Sequence, residues 1–160
     1  MLVGVVVVSV FLVMFYSSGN VEAANVYAGG SYISGMDGEI GTKMGLEFEV
    51  SDKVDVLADV TYYSPAYGHL FIIRTSGAYD LTPFIEKESY KVRLLGGPAF
   101  FLGTGAEDDM AANADIHLGG IIEEKRGERV SIRSEWQYIP GIFSDMDAAV
   151  EITGGAVFEF

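Results

Sequence analysis

The sequence predicts an all-β chain of eight antiparallel strands, joined up and down and closed into a barrel. Three observations carry this reading. Segments of about ten residues alternate apolar with polar or charged side chains, the period-two signature of a strand with two unlike faces. Glycine, 20 of 160 residues, is spread along the chain, and no stretch beyond the N-terminal segment has the length and apolar character of a membrane helix. The segments are even in number and their connections short, which favours antiparallel neighbours and, with one face strongly polar, closure.

The first element is not a strand. Within MLVGVVVVSVFLVMFYSSGNVEAA, residues 1–24, an uncharged Val-rich run over 2–16 precedes the polar Ser17, Ser18, Gly19 and Asn20 and the small-residue stretch Val21, Glu22, Ala23. That order is the apolar core and cleavage region of a secretory signal peptide, with cutting expected after Ala23 or Ala24. An uncleaved anchor is the alternative, because 1–21 is also uncharged. The mature domain is expected to span 25–160.

Residues 25–34 (NVYAGGSYIS) make the first strand, weakly patterned. In 42–51, Met44, Leu46, Phe48 and Val50 share one face, and Lys43, Gly45, Glu47, Glu49 and Ser51 the other. After a turn at 51–53, Val54, Val56, Ala58, Val60 and Tyr62 alternate with Asp55, Leu57, Asp59, Thr61 and Tyr63. The fourth segment, 69–81, sets Phe71, Ile73, Thr75, Gly77 and Tyr79 against Leu70, Ile72, Arg74, Ser76, Ala78 and Asp80. From Ser89 the phase is clean again: Tyr90, Val92, Leu94, Gly96, Pro98 and Phe100 oppose Lys91, Arg93, Leu95, Gly97, Ala99 and Phe101. Ile116, Leu118, Gly120 and Ile122 oppose Asp115, His117, Gly119 and Glu123. Beyond the turn around Gly127, Val130, Ile132, Ser134, Trp136 and Tyr138 oppose Arg129, Ser131, Arg133, Glu135 and Gln137. The closing strand is VEITGGAVFEF, 150–160.

Alternation alone is compatible with two opposite proteins. A soluble lipocalin-like barrel turns its apolar face in, and a membrane barrel turns it out. The membrane arrangement is favoured because the apolar face mixes large residues with Gly96, Gly120, Gly154 and Ala156, which would fill a packed core loosely. Aromatics such as Trp136, Tyr138, Phe158 and Phe160 gather toward strand ends, as in interfacial girdles. The polar face carries both signs of charge: Glu47, Glu49, Asp55, Asp59, Arg74, Lys91, Arg93, Glu123, Arg133, Glu135 and Glu151. Turned to lipid, each Lys or Arg near the midplane would cost about 2–4 kcal/mol. Turned into a narrow lumen they pair with one another, and the expected interior is an ionic plug, with a narrow or gated conduit as the alternative.

Composition excludes several function classes. With 23 acidic and 10 basic residues and a formal charge of -13, the chain lacks the clustered bases that nucleic-acid phosphates require. It has no Cys, so disulfides, thiolate metal sites and Cys nucleophiles are absent. Glu107, Asp108 and Asp109 form an acidic run without calcium-loop spacing, read as a solvated loop rather than a metal site. The two histidines, His69 and His117, complete no Ser-His-acid pattern; the residue two beyond His117 is Gly119. No catalytic residue, cofactor or metal is expected. A lipid A-modifying enzyme is the minor alternative.

NVYAGGSYISG, YDLTPFIEKESYKVRLLGGPAFFLG, RVSIRSEWQYIP and the closing VEITGGAVFEF together resemble the small eight-stranded outer-membrane β-barrel proteins of Gram-negative bacteria, the opacity-like or porin-family group. The resemblance spans 25–160. It implies an integral outer-membrane protein in contact with lipid and lipopolysaccharide, monomeric, with both termini in the periplasm. It further implies short periplasmic turns at 51–53, 81–88 and 125–128, outer loops at 35–41, 64–68, 103–113 and 140–147, and a structural or surface role. A small pore is the alternative. It also implies that the terminal strand with Phe160 is read by the barrel assembly machinery. Deletion of Phe160 is therefore expected to cut the yield of membrane-inserted protein far more than one lost apolar contact would, and insertion at the parental level would refute that.

Overall fold

The computed structural model describes residues 24–34, 38–64, 68–84, 89–104, 110–142 and 147–160. The expected signal segment lies outside them up to residue 23, as do Glu107, Asp108 and Asp109. The strands are β1 (Ala24–Ile33), β2 (Glu39–Ser51), β3 (Val54–Tyr63), β4 (His69–Asp80), β5 (Tyr90–Thr104), β6 (Met110–Lys125), β7 (Val130–Ile139) and β8 (Ala149–Glu159). A 3-10 turn, Thr82–Phe84, follows β4; its Thr82 amide donates to Asp80 Oδ1.

Every strand pairs antiparallel with its sequence neighbours, and β1 pairs with β8 from Asn25↔Glu159 to Ile33↔Glu151. The sheet is thus a closed eight-stranded barrel, with no unpaired edge to present to water or hydrocarbon. Both described ends of the chain and the β2–β3, β4–β5 and β6–β7 connections lie at one end, the near end. The other four strand junctions lie at the far end.

The charged face points inward. β7 shows it most simply, with Ser131, Arg133, Glu135, Gln137 and Ile139 buried and Val130, Ile132, Ser134, Trp136 and Tyr138 exposed. On the outward positions of the described strands the ionisable acids, bases and histidines are confined to the rims: Glu124, paired with Arg126 at the near end, and His69 at the far end. Between those rims the wall is Leu94, Phe100, Ile116, Leu118, Ile122, Ile132, Trp136 and Ile152, all exposed. The apolar face is the outward one. Buried residues near the far mouth form an apolar cap of Ile33, Tyr63, Ile72, Ala99, Phe101, Ile139 and Ala149.

Two strands run further than the pattern indicated. β2 begins at Glu39 and β6 at Met110, with Gly103↔Ala111 and Thr104↔Met110 still paired, so residues 39–41 of the connection expected at 35–41, and 103–104 and 110–113 of the one expected at 103–113, are ladder. The cause is physical: backbone pairing continues wherever a partner strand is available, whereas Ala111, Ala112, Asn113 and Ala114 are exposed on both faces and show no alternation. Pro98, which has no amide to donate, interrupts the β4–β5 pairing between Arg74↔Ala99 and Gly77↔Gly96.

Small residues close the seam. A Cβ on inward Gly155 would meet Ala28 O at 2.2 Å and Gly29 Cα at 2.6 Å, whereas one on outward Gly154 would meet nothing within 4 Å. Gly155→Val is expected to lower stability by about 1–3 kcal/mol through overpacking. Gly154→Ala should be close to neutral. Urea titration of the detergent-refolded barrel measures both.

Candidate functional site

The inward face assembles two ionic groups, one above the other. At the near end Arg93, buried completely, donates from Nη1 to Glu47 Oε1 at 2.7 Å and Asp55 Oδ2 at 2.7 Å, and from Nη2 to Glu123 Oε2 at 2.9 Å. Arg133 reaches the same Glu123 oxygen at 2.9 Å, pairs with Glu47, and lies over the Tyr27 ring, 5.0 Å from its centroid. Lys91, at the mouth, donates to Asp55 at 3.0 Å. Three cations therefore face three carboxylates. The strands bring them together because Lys91, Arg93, Glu123 and Arg133 occupy inward positions of the adjacent β5, β6 and β7, with Lys91↔Glu123 and Glu123↔Arg133 paired directly.

The second group lies toward the far end. Arg74 Nε donates to Asp59 Oδ1 at 2.9 Å, and its Nη groups bind Glu151 and Thr61. Ser31 donates to Glu151 at 2.7 Å and shares hydrogen bonds with Tyr63 and Thr153. Lys43 pairs with Glu135 and lies 3.5 Å from Asp59. Gln137 donates its amide to the same Glu135 oxygen that Lys43 uses. On β6 His117, fully buried, lies with Nε2 2.8 Å from Ser76 Oγ.

Nine of the expected network residues, Glu47, Asp55, Asp59, Arg74, Arg93, Glu123, Arg133, Glu135 and Glu151, are buried in these groups, and Lys91 joins at the rim. Glu49 does not. It is exposed at the irregularity where the β2–β3 register shifts between Glu49 and Ser51, beyond the closed part of the lumen, so water solvates it instead of a cation. The expected network omitted Lys43, His117, Gln137 and the hydroxyl residues Ser31, Thr61, Ser76 and Thr153, all buried. Parity held the missing signal, because each has the same parity as a network charge on its own strand or on a paired one. Trp136, Tyr138, Phe158 and Phe160 all point outward and are exposed, the first two toward the far end and the last two at the near end.

Catalytic geometry is incomplete. Ser76 and His117 stand at a nucleophile-to-base distance, yet His117 Nδ1 has no hydrogen-bond partner, so no acid orients the ring, and both residues are buried under the cap. Among the described residues no group of three or more His, Asp or Glu has the arrangement of a metal site.

A closed eight-stranded antiparallel barrel is also found in solved structures. The fold is that of the small transmembrane β-barrels. Neisserial surface protein A matches over 86% of this chain and 96% of its own, with a TM-score of 0.62 at 16% identity. The N-terminal barrel of Pseudomonas aeruginosa OprF matches over 85% and 97%, with a TM-score of 0.58 at 13% identity. Ail, the attachment invasion locus protein of Yersinia pestis, matches over 86% and 97%, with a TM-score of 0.55 at 10% identity. Ail has also been seen in complex with the heparin analogue sucrose octasulfate. No family model and no curated protein matches the sequence.

Removing one member of a buried pair leaves the other charged and desolvated, a loss of about 3–5 kcal/mol. Arg74→Met is expected to cost that much. Adding Glu151→Leu should recover part of it, because the orphaned carboxylate goes too. A double-mutant cycle on unfolding free energies measures the coupling.

Proposed function

We propose that this chain is an integral outer-membrane barrel with a structural or surface role, its lumen filled by paired charges. The carrying observation is the division of faces. Between the rims the outward positions of the described strands carry no Asp, Glu, Lys or Arg, whereas Arg74, Arg93 and Arg133 are at most 1% exposed inside. Only a hydrocarbon environment rewards that arrangement, since water would favour the reverse. The outer-membrane location rests on the fold shared with Neisserial surface protein A, OprF and Ail. The resemblance of the strand blocks and the signal-like N-terminus points the same way. Periplasmic termini would follow, with lipid and lipopolysaccharide around the wall.

The filled lumen argues against a conduit. An ionic group, a second ionic group and the cap of Ile33, Tyr63, Ile72, Phe101 and Ile139 stand in series across the axis. Ser76 and His117 are read as a packing contact rather than a catalytic pair. Recognition of sulfated glycans, suggested by Ail, finds no support here, because the sequence of the far-end connections holds Asp37, Glu107, Asp108, Asp109, Asp145 and Asp147 and not one Lys or Arg.

The expected behaviour is recovery in the detergent-extracted envelope fraction, migration on gels that changes on boiling, and silence in planar bilayers. Steady single-channel currents from the refolded parental protein would replace the structural reading with the pore. Recovery in the aqueous periplasmic fraction would overturn the membrane assignment altogether.

A further inference from the structure

The two ionic groups differ in balance, and the difference defines a site. In the near group Glu47, Asp55 and Glu123 face Lys91, Arg93 and Arg133, so charge cancels. In the far group three carboxylates, Asp59, Glu135 and Glu151, share only Lys43 and Arg74. Among these five side chains one negative charge is left over in a place from which water is largely removed, and the buried Asp115 on the inward side of β6 brings no positive charge to offset it; an uncompensated buried charge is costly.

The surplus is localised by hydrogen bonding. Both donors that reach Glu135, from Lys43 and Gln137, go to Oε1. Glu135 Oε2 has no partner, and neither has Gln137 Oε1, which belongs to the side chain bonded to that same carboxylate. Glu135 is 3% exposed and Gln137 1%. These are two bare acceptor oxygens, one of them charged, on inward positions of one strand. Beside them the partner of Gln137 is Gly119, which contributes no side chain to the lumen.

We propose that this point of the lumen binds a single alkali-metal cation, of the sodium or potassium class. Oxygen-only donors select a hard cation. One surplus charge among the five paired side chains matches a monovalent ion. The bound cation completes the electroneutrality of the far group much as Lys91 does at the near mouth. The site goes beyond the role proposed above and does not depend on whether the barrel conducts.

The test uses the full mature chain refolded in zwitterionic detergent with a chelator of divalent ions. Thermal unfolding is followed in sodium, potassium and choline chlorides at equal ionic strength. Sodium or potassium should raise Tm over choline in a saturable way, on the order of 5 °C at ten times Kd. Gln137→Leu, which exchanges neutral for neutral, should abolish most of that increment, as should Glu135→Gln. Glu123→Gln in the near group should leave it. Should Glu135→Gln fail to fold, sodium-23 line broadening of parental protein against Gln137→Leu decides the point. Equal Tm in all three salts, or an increment that survives Gln137→Leu, would overturn the site. So would a stabilisation produced by lowering pH and identical in choline, which would mean that a proton, on His117 or on one of the three carboxylates, removes the surplus charge.

Discussion

Closure of β1 on β8 is the constraint on which the other features depend. Until Asn25–Ile33 pairs with Glu151–Glu159, the two outer strands each present a row of unpaired amides and carbonyls, which hydrocarbon cannot satisfy. The seam is made of residues small enough for close approach, with Ala28↔Ala156, Gly29↔Gly155 and Gly30↔Gly154 in succession. Once eight strands close, the interior has room for side chains and little else. Inward residues between the two mouths are then desolvated, whatever their chemistry, and the ionic groups are a consequence of that confinement.

Confinement also sets what the charges accomplish. Buried ion pairs add little net stability over well-packed apolar residues, because desolvation offsets most of the attraction. Their effect is on which arrangement survives. A one-residue slip of any strand would carry its inward charges to the lipid side and its apolar set into the lumen. Arg74, Arg93 and Arg133 therefore act as register markers, each held by carboxylates from other strands. The same groups and the apolar cap at the far mouth stand in series along the axis.

Much of this was legible in the sequence, since a period of two assigns each residue to a face without reference to any partner. The network charges on β3, β4, β5, β7 and β8 stand where parity puts them. Glu49 is the exception, and the reason is local: the register shift near the β2–β3 turn carries it out of the closed lumen, which parity alone does not register. Lys43 and His117 have the right parity, but a lone base among glycines and a lone histidine carry no pattern of their own. The extent of β6 was hidden for a related reason, its first turns of ladder bearing exposed alanines on both faces.

By itself, then, the chain's alternation determined the number of strands, their antiparallel order and the two sets of residues that share a face, because strand geometry is local and repeats every second residue. Which carboxylate meets which cation was decided only by tertiary structure. Lys43 and Glu135 are 92 residues apart and Arg74 and Glu151 are 77 apart. Their meeting is fixed by the stagger with which the sheet closes, and stagger is a property of all eight ladders together. The same holds for the two unpartnered oxygens of Glu135 and Gln137, which no pattern in β7 reveals, since a bare acceptor is defined by the donors that closure brings to its neighbours.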